Sequence, residues 1–105
     1  MLSFVLALSI ATHAAAAGEI YGDVRLGEKY LPAVKLSLTC GTEKVEGTTD
    51  AAGSFRISAR GSGKCKFAVA YEKDVADVDV VVFDKPTKYR FVLERVEGKL
   101  VLKRV

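Results

Sequence analysis

Few side chains in this 105-residue chain are of the kinds that carry out chemistry. It has two cysteines, Cys40 and Cys65, and a single histidine, His13, which lies in an apolar amino-terminal stretch. Zinc is held by histidine and cysteine ligands at short, fixed spacings, and two isolated cysteines do not supply such a set. The sequence therefore argues against a zinc site, and nothing in it calls for a cofactor.

Nucleophilic catalysis needs a serine, threonine or cysteine beside a base. The serines Ser54, Ser58 and Ser62 fall near turns or at outward positions, and none lies in a G-x-S-x-G elbow. The aspartates between residues 74 and 84 follow a strand pattern, whereas calcium needs many oxygens that converge in one loop. We therefore predict that the chain is not an enzyme and binds no metal.

The amino-terminal stretch has the pattern of an export signal. Residues 1–17 contain no Lys, Arg, Asp or Glu, and 13 of them are apolar. They end in a string of alanines just before Gly18, as a secretory signal peptide does. The alternative is a retained anchor, but spanning a membrane takes ~20 apolar residues and this run is interrupted. We predict a signal peptide over 1–17, a domain over 18–105, a secreted or periplasmic location and no transmembrane anchor after processing.

Beyond residue 18, apolar and polar side chains alternate in short runs that are separated by turn residues. This is typical of half-buried antiparallel strands. The clearest run covers residues 34–40, and residues 65–71 repeat the pattern. The last two runs are expected to form a hairpin across Glu97 and Gly98. Roughly seven or eight such strands predict an all-β antiparallel sandwich, Ig-like or transthyretin-like in architecture.

Two glycine-containing segments separate runs in the middle of the chain. Residues 50–53 begin with Asp and end with Gly, a combination that favours a tight turn. Residues 61–64, Gly-Ser-Gly-Lys, are similar to part of a phosphate-binding loop, but they lack its first glycine and its strand-to-helix setting. We interpret both segments as hairpin turns.

Four motifs occur in order between residues 19 and 71. They are Ile20-x-Gly22-x-Val24, Leu31-Pro32-Ala33-Val34-x-Leu36-x-Leu38, Thr48-Thr49-Asp50-x-x-Gly53-x-Phe55-x-Ile57 and Gly63-x-Cys65-x-Phe67-x-Val69. In this order and spacing they resemble the carboxypeptidase regulatory-like domains, which have a transthyretin-like (prealbumin-like) β-sandwich fold. The resemblance implies an accessory module with a structural or binding role. Residues 18–105 lack the histidines and the carboxy-terminal Tyr-Arg-Gly-Ser signature of the related hydroxyisourate hydrolases, so the resemblance does not extend to that enzymatic branch.

The two cysteines both follow the predicted leader, and export would place them where disulfides form and persist. Each is in phase with an inward-facing row of apolar residues, so the two sulfurs are expected to meet in one core. We predict a single disulfide between Cys40 and Cys65. The alternative is a pair of buried free thiols.

Charge is distributed unevenly along a chain whose formal net charge is +3. Residues 72–84 carry five acidic and one basic side chain, and residues 87–105 carry six basic and two acidic ones. Either the two segments are neighbouring strands whose charges offset each other, or they steer an anionic partner such as lipopolysaccharide or an acidic glycan. Nucleic acid is not the expected partner, because the net charge is small.

The sequence predicts a structural or protein-binding module whose partner is unknown. Tyr21 and Tyr30 suggest the alternative, a carbohydrate or small-ligand binding domain in which exposed rings stack on the ligand. In either case the partner is expected to be a protein or glycan of the cell envelope.

Four further apolar residues lie on the side of their strands that otherwise carries polar residues: Val81, Phe83, Val92 and Val101. We predict that they form one apolar patch. The terminal hairpin is the expected cover of this patch, and a second copy of the chain is the alternative.

Overall fold

The computed structural model describes residues 18–105, and in that range every regular element is a β-strand. The nine strands are β1 (Glu19–Leu26), β2 (Lys29–Tyr30), β3 (Lys35–Cys40), β4 (Glu43–Thr48), β5 (Ser54–Ser58), β6 (Gly63–Tyr71), β7 (Asp74–Val82), β8 (Thr87–Val96) and β9 (Lys99–Arg104). The described range contains no helix that could cross a membrane. The predicted signal peptide lies outside the described residues. The predicted all-β fold class is confirmed.

The strands form two sheets that pack face to face. Sheet A has the order β2-β1-β8-β9, and β5 pairs with β1 on the same edge as β2. Sheet B has the order β4-β3-β6-β7. All neighbours are antiparallel except β1 and β8, which run parallel. The prediction of an entirely antiparallel sandwich is corrected at this pair, because side-chain alternation is the same in both strand directions and carries no information about them.

One hydrophobic core fills the space between the sheets. Phe67 of sheet B and Phe91 of sheet A are fully buried, and their rings stack with centroids 4.3 Å apart. Phe55 packs against Phe67 with a centroid distance of 5.2 Å. Such aromatic pairs contribute ~0.5–1.5 kcal/mol beyond the burial of their area. The core therefore joins the sheets at their centre and leaves every second side chain on an outer face.

The chain crosses from one sheet to the other at segment 50–53, and it crosses back between Ser58 and Gly63, where segment 61–64 begins. β4 pairs with β3 in sheet B, β5 pairs with β1 in sheet A, and β6 returns to sheet B. The interpretation of both segments as hairpin turns is therefore wrong. In a hairpin the two strands joined by the turn pair with each other, but turn residues in a sequence show only that the chain changes direction and not which strand the next one pairs with. The terminal hairpin is confirmed, with Leu93 paired to Leu102.

The predicted disulfide between Cys40 and Cys65 is present, with the two Cα atoms 4.4 Å apart. Cys40 follows Thr39 and Cys65 precedes Lys66, and Thr39 and Lys66 are paired in the β3–β6 ladder, so the bond links neighbouring strands of sheet B. Cys65 is buried and Cys40 is partly buried against the core. The sequence separation is 25, and closing a loop of this size stabilises the fold by roughly 3 to 4 kcal/mol.

Two glycines of the motifs allow the backbone to approach other atoms closely. A Cβ on Gly22 would lie 1.6 Å from the carbonyl oxygen of Tyr89, so β1 can lie against β8 only without a side chain there. Gly53 has a φ of 80°, and a Cβ there would lie 2.9 Å from the Cβ of Tyr30. Both contacts position the strands of sheet A.

The four apolar residues predicted to share one patch lie on different sheets. Val92 and Val101 belong to strands of sheet A, and Val92 is 9% exposed. Val81 is the second-last residue of β7, the edge strand of sheet B, and Phe83 follows that strand; 39% and 49% of their surface is exposed. The prediction of one patch is wrong, because the chain changes sheets between Phe83 and Val92.

Candidate functional site

The outer side of sheet A, which we call the A face, presents rows of polar side chains that the strand register aligns. In the first row Tyr21 has Arg56 of β5 on one side and Lys88 of β8 on the other. In the next row Asp23 lies between Ser54 and Arg90. Residues paired in register project to the same side of a sheet, so each row is a set of neighbours.

A groove of about 490 Å³ opens at these rows. Hollows of about 200 to 360 Å³ lie on the outer side of sheet B, which we call the B face. The groove on the A face combines cations, carboxylates and hydroxyl groups, so it offers both donors and acceptors of hydrogen bonds. Its polar lining consists of Tyr21, Asp23, Thr48, Asp50, Ser54, Arg56 and Lys88.

Arg56 and Tyr21 form one unit at the wall of this groove. The guanidinium carbon of Arg56 lies 4.9 Å from the centroid of the Tyr21 ring, a cation–π contact. Arg56 Nη1 also donates a hydrogen bond to Glu19 Oε1 over 2.7 Å. A guanidinium has further N–H donors beyond the one used here. The unit is therefore held in place and still has donors for a ligand.

Two buried polar atoms of the A face lack a hydrogen-bond partner among residues 18–105, Asp23 Oδ1 and Arg25 Nε. The other carboxylate oxygen of Asp23 lies 3.8 Å from Arg90 Nε. Buried polar groups are normally paired with protein or with water, and these two exceptions lie beneath the surface of the A face rather than on it. Within the described residues both exceptions lie on β1.

The turn at one end of the groove is held by Asp50. Its Oδ1 accepts hydrogen bonds from the backbone amides of Ser54, at 2.9 Å, and Ala52, at 2.8 Å. The hydrogen bond from Ser54, followed by that from Ala52, lowers the pKa of the Asp50 carboxyl because both stabilise its charged form. Asp50 is therefore a carboxylate at neutral pH, and this charge stands at the groove.

Thr49, next to this turn, is the buried polar residue that connects the two sheets; it is 4% exposed. Its hydroxyl accepts a hydrogen bond from the Val34 amide at 2.9 Å and donates one to the Leu31 carbonyl at 2.6 Å. The loop before β3 is thereby tied to the segment that carries Asp50 into the groove.

The structure does not bring the two predicted stacking tyrosines together. Tyr21 lines the groove, whereas Tyr30 pairs with Arg25 at the sheet edge and is 46% exposed. Arg25 follows Tyr21 by four positions, which places the two tyrosine backbones ~13 Å apart along β1. Arg56 also occupies one face of the Tyr21 ring. A role of either tyrosine in ligand binding stays a prediction.

Sequence reasoning missed Arg56, Lys88 and Asp23 as neighbours of Tyr21. The available signal was the alternation of side chains along the strand, since Arg56 lies between the core residues Phe55 and Ile57. This alternation shows that a side chain is on the outer side of its strand, but it does not show which strand is the neighbour. The β1–β5 and β1–β8 pairings join residues far apart in the chain, so the row could not be assembled from the sequence.

The B face pairs its charges internally. Lys66 Nζ lies 3.7 Å from Asp77 and 3.6 Å from Asp79, and Lys64 Nζ lies 3.8 Å from Asp79. These aspartates belong to the acidic segment 72–84, and their lysine partners are on β6. The prediction that segments 72–84 and 87–105 are neighbouring strands is therefore wrong, because β7 pairs with β6 in sheet B while β8 and β9 belong to sheet A.

At one end of the sandwich, Arg95 of β8 joins the basic segment 87–105 to the acidic segment 72–84. Its Nη1 donates to Asp74 Oδ2 over 2.6 Å and its Nη2 donates to Glu72 Oε1 over 2.9 Å. The hydrogen bond to Asp74, then that to Glu72, raises the pKa of Arg95. Arg95 is the residue of the basic segment 87–105 that neutralises the acidic segment, and other cations of β8 and β9 stay on the A face.

Comparison with known proteins gives similarity in structure and none in sequence. No protein-family profile matches the chain, and no curated protein matches it in sequence. The structure is similar to that of Klebsiella pneumoniae 5-hydroxyisourate hydrolase, with a TM-score of 0.61 and 14% identity over 84% of this chain and 98% of that one. It is also similar to the Bacillus anthracis TIE protein, with a TM-score of 0.59 and 14% identity over 95% of this chain and 19% of that one.

At 14% identity these similarities concern the fold. Together with the two sheets and their strand order, they define the domain as a transthyretin-like β-sandwich.

Proposed function

We propose that the chain is a non-enzymatic binding module, active outside the cytoplasm, that contacts a component of the cell envelope through its A face. The observation that carries the proposal is the polar groove of the A face, which is lined by both cations and carboxylates. Both faces contain ion pairs, those of Lys64 and Lys66 on the B face and those of Glu19, Asp23 and Glu94 on the A face. Lys88 in the groove is exposed and forms no ion pair among residues 18–105, so its charge is open to a partner.

The absence of an enzymatic role is supported by the residues in the groove. Residues 18–105 contain no histidine, the side chain whose ordinary pKa suits proton transfer near neutrality. A general base works best when its pKa is near the working pH, and that of Asp50 is lowered. The groove is therefore better suited to holding a ligand than to moving its protons.

A location outside the cytoplasm is supported by the Cys40–Cys65 disulfide, since such bonds persist in oxidising compartments. The leader pattern of residues 1–17 points the same way. The carboxypeptidase regulatory-like type is supported by the four motifs, which fall on β1, on β3, on the turn before β5 and on β6. Modules of that type act as structural or binding units.

The proposal can be tested by cosedimentation of the exported, purified protein with isolated cell envelopes of its source organism. Lys88→Glu reverses a charge on the A face, and Lys35→Glu makes the same change on the B face. Both lysines are exposed residues of strands inside their sheets. We expect binding to be lost in Lys88→Glu and kept in Lys35→Glu. Equal loss in both variants, or loss in Lys35→Glu alone, would contradict the proposal.

The absence of catalysis has its own test, because one structural neighbour is a 5-hydroxyisourate hydrolase. We expect the protein to leave the rate of 5-hydroxyisourate hydrolysis at the buffer value. A saturable acceleration that disappears in Arg56→Ala would show that the groove is an active site.

A further inference from the structure

The two outer faces differ in net charge, although both contain ion pairs. By strand phase and register, six cations and three carboxylates share the A face, and four cations and three carboxylates share the B face. The three carboxylates of the A face are Glu19, Asp23 and Glu94, and its six cations are Arg25, Arg56, Lys88, Arg90, Lys99 and Lys103. The strands of the A face therefore carry an excess of three positive charges, and the carboxylate of Asp50 in the groove lowers this excess to two.

The cations nearest the groove are spread out. Arg56 and Lys88 lie on strands either side of β1, so their Cα atoms are ~10 Å apart, and Arg90 is one row further, ~7 Å along β8. Lys88 is exposed and forms no ion pair with any residue in the range 18–105. The arrangement fits a ligand with separated negative charges better than a compact anion.

Between these cations lie polar side chains that can hydrogen-bond to hydroxyl groups and an aromatic ring that can pack against a sugar ring. Ser54 and Asp23 lie in the row beside Tyr21, and Thr48 and Asp50 line the same groove. Carboxylates and hydroxyls hydrogen-bond to hydroxyl groups, and an aromatic ring packs against the C–H face of a sugar. A ligand in which negative charges alternate with hydroxyl-rich rings matches this surface both at its cations and at the groups between them.

We infer that the A face binds an acidic polysaccharide whose sugar units carry carboxylates. Arg56 and Lys88 contact the carboxylates, Arg56 through the paired hydrogen bonds that a guanidinium makes with a planar carboxylate and Lys88 through its exposed charge. Ser54 contacts hydroxyls, and the Tyr21–Arg56 unit packs against a sugar ring. This inference rests on the proposed function, since it names the ligand of the same face.

The density of charge favours such a polymer over nucleic acid. Double-stranded DNA presents one negative charge per ~1.7 Å of its length, and neutralising it takes a continuous set of cations. On the A face the carboxylates of Glu19, Asp23 and Glu94 interrupt the cations. A polymer with one carboxylate per sugar has room to place its hydroxyls next to those acidic side chains.

The test is isothermal titration of the exported protein with polygalacturonate at low salt, with neutral dextran and a mixed-sequence DNA duplex as the other probes. We expect polygalacturonate to bind and dextran not to bind. Lys88→Glu is expected to weaken binding about tenfold, as the reversal of one exposed charge contact should. Lys35→Glu, with the same change in net charge, is expected to stay within about twofold of the unaltered protein.

Three results would overturn the inference. They are equal binding of dextran, tighter binding of DNA than of polygalacturonate, and equal weakening by Lys35→Glu and Lys88→Glu. Arg56→Lys adds a measurement that is independent of net charge. It keeps the charge and removes the planar group, so weaker polygalacturonate binding is expected and unchanged binding would contradict the assigned role of Arg56.

The proposed ligand and the proposed binding face can be disproved separately. If polygalacturonate does not bind but Lys88→Glu still abolishes binding to cell envelopes, the A face is the binding surface and its ligand is another component. If Lys88→Glu binds envelopes normally, the proposed function itself fails.

Discussion

The A face and the B face are built from strands with the same alternation of side chains, yet their charges are arranged differently. On the B face lysines of β6 stand beside aspartates of β7 in the same register, so opposite charges are direct neighbours. On the A face, Tyr21 has one cation on each side, Arg56 on β5 and Lys88 on β8. The difference shows that register, and not composition, decides which charged side chains of a face become neighbours.

The two sheets also differ in what holds them together. Exposed ion pairs such as those of the B face stabilise a fold by only ~0–1 kcal/mol each. Sheet B has in addition the disulfide between β3 and β6. Sheet A depends on the close backbone contact of Gly22 with Tyr89. Substitutions can test each of these differences.

The largest effect is expected at Gly22, and Gly47 of β4 in sheet B is its matched control. Gly22→Ala puts a Cβ 1.6 Å from a backbone oxygen, whereas a Cβ on Gly47 meets only Ile57 Cδ1 at 3.7 Å. We expect Gly22→Ala to lose at least about 4 kcal/mol of unfolding free energy, or to fail to fold. Gly47→Ala should change it by less than about 1 kcal/mol. Urea denaturation measures both, and similar losses would contradict the difference between the sheets.

Removal of the disulfide is expected to affect sheet B and the stability of the whole domain but not the A face. Cys40→Ala/Cys65→Ala should lower the unfolding free energy by about 3 kcal/mol and the melting temperature by more than about 10 °C. Thermal unfolding followed by circular dichroism measures the change, and the β-rich spectrum should persist. The proposed binding through the A face should be unaltered below the new melting temperature. A matching loss of binding would mean that the faces are not independent.

Thr49→Val is expected to have the next largest effect on stability, because Thr49 lies where the chain crosses between the sheets. The substitution keeps the shape and leaves the Val34 amide and the Leu31 carbonyl without their buried partner. We expect a loss of about 2 kcal/mol in the unfolding free energy. Thr49→Ser keeps the hydroxyl and should be clearly more stable than Thr49→Val. If the two variants are equally stable, the hydroxyl does not hold the crossing.

The smallest effect is expected from Asp50→Asn, at the turn that borders the groove. Folding lowers the pKa of Asp50 from its ordinary value of 3.8, so its carboxylate stabilises the fold above that pH. The contribution is lost as the pH falls through the lowered pKa. The difference in urea midpoint between the unaltered protein and Asp50→Asn should therefore be present at neutral pH and shrink below pH 3.8. A difference that stays constant into acid would contradict the assigned hydrogen bonds.

Much of the scaffold could be predicted from short stretches of sequence. The inward row that ends at Cys40 and the row that begins at Cys65 led to the disulfide, and the Glu97–Gly98 turn led to the terminal hairpin. The candidate site could not be predicted in the same way. Tyr21 was singled out for its ring, but its neighbours Arg56 and Lys88 have no local signal that relates them to it.

The sequence by itself determined which side of each strand faces the core, because side chains alternate with a period of two along any strand. It also determined where the chain turns and that Gly22 and Gly53 have special positions. Only the tertiary structure decided that the chain crosses between the sheets at residues 50–53 and again between Ser58 and Gly63, that β1 and β8 run parallel, and that Arg56, Tyr21 and Lys88 form one row. These features depend on pairing between strands far apart in the chain. Such pairing is selected by the fit of the whole core, and no single segment specifies it.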